Sequence, residues 1–206
     1  MTIVYAIRHC DYENPEGIIP GNMPGFHLNN RGRKQAERLA NYFSNAGLSS
    51  IYSSHLERSF ETAEVIAKRF GLKVQTSELI ADIRSPNDGT PFADFIASGG
   101  NAYKDKRHNE YGGETIPEVY DRMSIFLTDA LLKNPWNFAF VSHGDPIEFL
   151  KAGLEGKKLV PGLADKIDSY IARGDVYKLV FDGRKFIKAE RLYIQEDKIV
   201  DNTPKN

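Results

Sequence analysis

Ile3-Val4-Tyr5-Ala6-Ile7-Arg8-His9 opens the chain with an apolar, partly β-branched run that stops abruptly at an arginine and a histidine. Such a run, bounded by polar residues, predicts a buried strand over residues 3–7. The same pattern recurs twice: residues 48–53 lead through Ser54 to Arg58, and residues 138–141 lead into Ser142-His143. Between these strands apolar residues return at helical spacing, as in Ala36, Leu39, Ala40 and Phe43, with Gly47 as a stop signal. Strands alternating with helices predict an α/β fold, a three-layer α/β/α sandwich around a mostly parallel central sheet.

Further signals fill in the frame. Ser54-x-x-Glu57 and Thr115-x-x-Glu118 have capping-box spacing and predict helices running to Phe70 and to about Lys133. Asp145-Pro146 reads as an acidic N-cap followed by proline at the first helical position. Residues 72–76 predict another strand, and the runs 176–181 and 186–194 flank Asp182-Gly183-Arg184-Lys185 as a hairpin, followed by a polar tail over 196–206. Residues 84–113 are interrupted by Pro86, Gly89, Pro91, Gly99, Gly100 and Gly112, and only 92–97 look helical. This stretch reads as a lid inserted in one domain spanning 1–206.

With 27 basic and 28 acidic side chains the chain lacks the global positive field of a nonspecific nucleic-acid binder. A single cysteine excludes an intrachain disulfide and a Cys-rich zinc site. The absence of a long apolar span leads to the expectation of a cytoplasmic protein with no membrane partner. No sequence pattern predicts an oligomeric state.

Mostly parallel sheets bind ligands beyond the carboxyl ends of their strands. Arg8, His9, Arg58 and His143 would then converge at one edge, near two helix N-termini, as a pocket for a small dianion such as phosphate. A neutral imidazole can attack phosphorus to give a phosphohistidine, so one of the two histidines is the expected nucleophile. His27, His55 and His108 have no paired ligand spacing and read as surface or loop residues, so no metal site is expected.

Arg8-His9 with the nearby acid Asp11, Ser54-x-Leu56-x-Arg58-x-x-x-Thr62-Ala63, Gly112-Gly113-Glu114-Thr115 and Val141-Ser142-His143-Gly144 together resemble the motifs of the histidine phosphatase superfamily. The resemblance implies a phosphoglycerate mutase-like fold and a metal-independent phosphomonoester hydrolase without a cofactor. His9 would be the nucleophile, Arg8, Arg58 and His143 would hold phosphate, and an acid near the start of the insertion would protonate the leaving group. Asp82 is the preferred acid, where family members place a glutamate, with Glu78 and Asp88 as competitors. Asn14, one place earlier than the family's asparagine, and Glu114 are implied substrate contacts, with Glu114 read equally as an acid that favours the N-terminus of the following helix by charge. Cys10 replaces the usual glycine and reads as a buried structural thiol, since a Cys-x5-Arg phosphatase loop would need arginine where Glu16 stands.

The expected partner is a small phosphorylated metabolite or a phosphoprotein, selected by lid residues including Phe92, Phe95, Tyr103 and Tyr111. Two rivals share these residues: a phosphoglycerate mutase-type phosphotransferase, for which the insertion is short, and a noncatalytic phosphate-binding scaffold.

Overall fold

The computed structural model describes residues 1–104, 106–167 and 169–194, so the polar tail at 196–206 lies outside the described residues. Six strands form one sheet: β1 (Thr2–Arg8), β2 (Ser50–Ser53), β3 (Val74–Thr76), β4 (Phe138–Ser142), β5 (Val176–Asp182) and β6 (Lys185–Leu192), in the order β3-β2-β4-β1-β5-β6. The pairs β1–β4, β4–β2 and β2–β3 are parallel, while β5 runs antiparallel to both β1 and β6. Only β5 therefore runs against the common direction.

The pleat sorts the strand residues into two cores. Val4 and Ala6 of β1 and Phe138 and Phe140 of β4 face α5 (Ile116–Lys133) and α6 (Gly144–Leu154), in a cluster with Val119, Met123, Phe126 and Phe149. Their neighbours Tyr5, Ile7, Ala139 and Val141 face α1 (Asn30–Tyr42) and α2 (Glu57–Phe70), packing with Ala36, Leu39, Phe43, Ala63 and Ile66. Because every central residue is buried on one face or the other, the strands read as continuous apolar runs, not as alternating ones. The result is three layers. Truncating the fully buried Phe140 to alanine would cost on the order of 3–5 kcal/mol.

Helix starts divide into two kinds. Thr115 caps α5 as expected, its hydroxyl accepting from the Glu118 amide while Glu118 reaches back to the Thr115 amide. The expected box at Ser54 does not form. Helix α2 begins at Glu57 with Leu56 as its N-cap and no side-chain cap bond. Nor does Asp145 cap α6, which starts at Gly144 with His143 in the N-cap position and again no side-chain cap bond.

The segment at 84–113 holds more regular structure than glycine and proline imply. Besides α3 (Phe92–Ala97) it contains a 3-10 turn over Ala102–Lys104 and α4 (Lys106–Glu110). It pairs with the loop after β1 through amide bonds from Ile19 to the Thr90 carbonyl, 2.8 Å, and from Gly89 to the Ile19 carbonyl, 2.8 Å. His108 corrects an expectation: it is buried, not a surface residue, its ring nitrogen donating to the Glu114 carbonyl at 2.8 Å.

Candidate active site

Parallel pairing of β1 and β4, with Arg8 opposite Ser142, brings His9 and His143 out at the same edge of the sheet. The register continues past the strands. His9 donates its amide to the Ser142 carbonyl at 2.9 Å, and Ser54 donates to the Val141 carbonyl at 3.0 Å. The ring centroids of His9 and His143 lie 5.2 Å apart. Arg58, in the first turn of α2, reaches the same place and is fully buried.

His9 Nδ1 lies 2.8 Å from the Cys10 carbonyl. A carbonyl can only accept, so Nδ1 carries the hydrogen and Nε2 keeps its lone pair. Burial first, then the charges of Arg58 and Arg8, hold the imidazole well below its ordinary value of 6.5, so it stays neutral. Cys10 beside it is inert: its amide donates to the Thr62 hydroxyl at 3.1 Å, and burial pushes the thiol up to about 12.

Arg58 is used unevenly. Its Nη2 donates toward the Gly21 carbonyl at 2.7 Å, Asp82 Oδ2 at 3.1 Å and His143 Nδ1 at 3.2 Å, while Nη1 and Nε are buried without a partner. Unpaired guanidinium donors away from water cost free energy unless an anion takes them. Nε and Nη1 lie on different edges of the guanidinium, so they are two separate charged donors, each able to bind an oxygen of an anion. Because Nδ1 of His143 accepts from Arg58, its Nε2 carries the hydrogen, 3.0 Å from the Ser54 hydroxyl and 3.3 Å from that of Ser59. Burial, then Arg58, keeps this second imidazole neutral as well.

Asp82 lies against Arg58 and His143, with Oδ1 accepting the Ile83 amide at 3.0 Å. Burial raises its pKa above the ordinary carboxylate value and Arg58 opposes the rise. The backbone that carries it is held by Arg122, which donates to the carbonyls of Leu79, Ala81 and Asp82 at 2.8, 2.9 and 3.1 Å. Glu114 in turn accepts from Arg122 Nε at 2.8 Å and from the Arg84 amide at 2.9 Å. Glu114 is thus buried behind the site and positions Arg122, a correction to its expected place beside substrate.

A cavity of about 320 Å³ opens onto Arg8, His9, Asp82 and Gly144. Arg58 and His143 stand one layer behind this surface. Of the competing acids, Asp88 lines the cavity and burial pushes it up to about 6, whereas Glu78 is exposed and outside the lining. Asn14 is also corrected: both ends of its amide bond the Ile18 backbone, at 2.8 and 3.2 Å, and it does not line the cavity. Phe92, Phe95 and Tyr103 line it, while Tyr111 is exposed.

Among the cavity residues, Tyr170 and Arg173 were not anticipated from the sequence. Tyr103 and Tyr170 each donate to the Asp145 carboxylate at 2.6 Å, tying the lid and the segment before β5 to the start of α6. Tyr170 also explains Gly144, where a Cβ would stand 2.1 Å from its hydroxyl oxygen. Tyr12 and Arg173 complete the wall beside His9. Among the described residues no three His, Cys, Asp or Glu side chains are grouped to hold a metal ion.

Known proteins resemble this chain in sequence and in fold. The chain is 32% identical over 168 residues to phosphoserine phosphatase 1 of Hydrogenobacter thermophilus, covering 77% of this chain and 79% of the relative. It is 27% identical over 168 residues to the 2,3-bisphosphoglycerate-dependent phosphoglycerate mutase of Thermoplasma acidophilum, covering 75% and 80%. The solved structure of a mycobacterial glucosyl-3-phosphoglycerate phosphatase complexed with VO3 shares the fold, with a TM-score of 0.77 at 20% identity over 92% of this chain and 96% of that one. The model of the histidine phosphatase superfamily (branch 1) matches residues 4–189, and the chain belongs to that superfamily of phosphatases and mutases.

Proposed function

We propose that the protein is a metal-independent phosphomonoester hydrolase that works through a phosphohistidine on His9. The observation that supports this reading is the neutral His9 ring with Nε2 bare, set beside a buried Arg58 whose Nε and Nη1 have no partner. Nε2 attacks phosphorus as the bond to the ester oxygen breaks, and Asp82 passes its proton to that oxygen. Water then attacks phosphorus, the P–N bond breaks, and Asp82 takes the water's proton, so inorganic phosphate leaves and both groups are restored. Arg8, Arg58 and neutral His143 stabilise charge on the equatorial oxygens during both steps.

The size and lining of the cavity favour a small phosphorylated metabolite over a phosphoprotein. The apolar wall of Ile19, Ile83, Phe92 and Phe95 would pack against its leaving group. Similarity to a mutase keeps phosphotransfer to a bound acceptor as the second reading. Hydrolysis of p-nitrophenyl phosphate in the presence of EDTA tests the first. Wild type should retain its activity, and His9→Ala should lose at least about a thousandfold. Loss of activity with EDTA, or an active His9→Ala, would overturn the proposal, and faster isomerisation than hydrolysis of phosphoglycerates would favour the mutase.

A further inference from the structure

His9 is surrounded by three guanidinium groups, from Arg8 in β1, Arg58 in α2 and Arg173 in the segment entering β5. Arg173 belongs to none of the motifs read in the sequence. Its place follows from topology: β5 is antiparallel to β1, with Val176 opposite Ile7, so the residues before β5 arrive where β1 ends. That segment is pinned to the nucleophile's own backbone. Gly174 donates to the Arg8 carbonyl at 3.1 Å and the His9 carbonyl at 3.2 Å, and Arg8 Nη1 donates to the Ile171 carbonyl at 2.7 Å.

The Arg173 side chain is held loosely by comparison. Its guanidinium carbon lies 4.6 Å from the Tyr12 ring centroid, and the Tyr12 ring lies 5.3 Å from that of His9. Nη1 is 3.3 Å from Asp11 Oδ1 and Nη2 is 3.3 Å from the Tyr12 hydroxyl, while Nε is buried with no partner. Charge-assisted bonds are ordinarily nearer 2.7–2.9 Å. Asp11 is moreover shared with Arg31, at 3.1 Å. Such contacts are readily exchanged for those of a stronger anion, and Arg173 lines the cavity together with Arg8 and His9.

We propose that Arg173 is a third phosphate-binding guanidinium, closing from the β5 side on the oxygens of the phosphoryl group that His9 accepts. The inference rests on the phosphatase reading above and adds a binding residue to it. It also makes a statement about His9 itself, which is faced by Arg8, Arg58, His143, Tyr12 and Arg173. The positive charge of Arg173 joins Arg58 and Arg8 in holding the ring neutral, so removing it lets the ring take a proton at higher pH.

The test uses Arg173→Met and Arg173→Lys, with inorganic phosphate and vanadate as inhibitors and p-nitrophenyl phosphate and phosphoserine as substrates. Arg173→Met should weaken inhibition by both anions about tenfold to a hundredfold and lower kcat/KM for both substrates by a similar factor. The acid limb of its kcat/KM profile should move to higher pH, and Arg173→Lys should recover part of each effect. Unchanged anion inhibition would reduce Arg173 to a brace for Tyr12 and overturn the proposal. A loss confined to phosphoserine would overturn it in another way, by assigning Arg173 to the substrate's other charge. If wild type hydrolyses neither substrate, the phosphatase reading fails by itself, and calorimetric binding of phosphate to wild type and Arg173→Met still decides the role of Arg173.

Discussion

The start of α5 and the starts of α2 and α6 are built from similar sequence signals and end differently. At α5, Thr115 and Glu118 complete a reciprocal box on the outside of the molecule. At α2 and α6, Ser54 and Asp145 are drawn away from capping. Ser54 lies against His143, and Asp145 receives the hydroxyls of Tyr103 and Tyr170. A polar residue at a helix start stabilises the helix by about 1 kcal/mol when it caps, and here that stabilisation is forgone where the residues build the site. The uncapped ends are the ones that carry Arg58 and His143 into the candidate site.

This contrast can be broken most forcefully at α2. Replacing Arg58 by Met removes the buried guanidinium and should lower kcat/KM for p-nitrophenyl phosphate by about two to three orders of magnitude. A loss of only a fewfold would mean that Arg58 does not hold phosphate. Next in size is Asp82→Asn, which should cost about a hundredfold on an alkyl phosphate and clearly less on an aryl phosphate, whose leaving oxygen needs little protonation.

The pH profile sharpens the same point. In the proposed mechanism His9 acts when neutral, and its depressed pKa puts the acid limb below 6.5; Asp82 acts when protonated, and its raised pKa puts the alkaline limb above the carboxylate value of 3.8. Activity should therefore fall as pH rises through the Asp82 limb, and Asp82→Asn should abolish that limb. If Asp88→Asn abolishes it instead, the proton donor is the carboxyl that titrates at about 6. The smallest effect belongs to α5: Thr115→Ala should lower Tm by about 2–4 °C and leave kcat/KM within about twofold. A large activity loss there would erase the distinction between the two kinds of helix start.

The sheet and the four residues Arg8, His9, Arg58 and His143 were legible because each follows an apolar run, and the parallel pairing of β1, β2 and β4 sends those ends to one edge. Arg173 and Tyr170 were not legible for the converse reason. A rule that looks past the carboxyl ends of strands passes over the residues before β5, which reach the same edge because β5 is antiparallel. Lid residues such as Tyr103 and Asp88 carry no periodicity, so nothing local in the sequence sets their direction. Asn14 and Glu114 were read by motif position, and in the structure local pairing claims both: Ile18 for Asn14, Arg122 and Arg84 for Glu114. His108 shows the same limit, since its burial depends on packing under Gly113 and beside Tyr103.

The central claim is that His9, not His143, carries the phosphoryl group between the two steps. Rapid quenching of wild type with a phosphorylated substrate, followed by peptide mapping under alkaline conditions that preserve phosphohistidine, tests it directly. The account predicts an acid-labile phosphoryl group on His9 that is absent from His9→Ala and accumulates when hydrolysis of the intermediate is slowed. A phosphoryl group on His143, or turnover with no phosphorylated histidine at any time point, would contradict it.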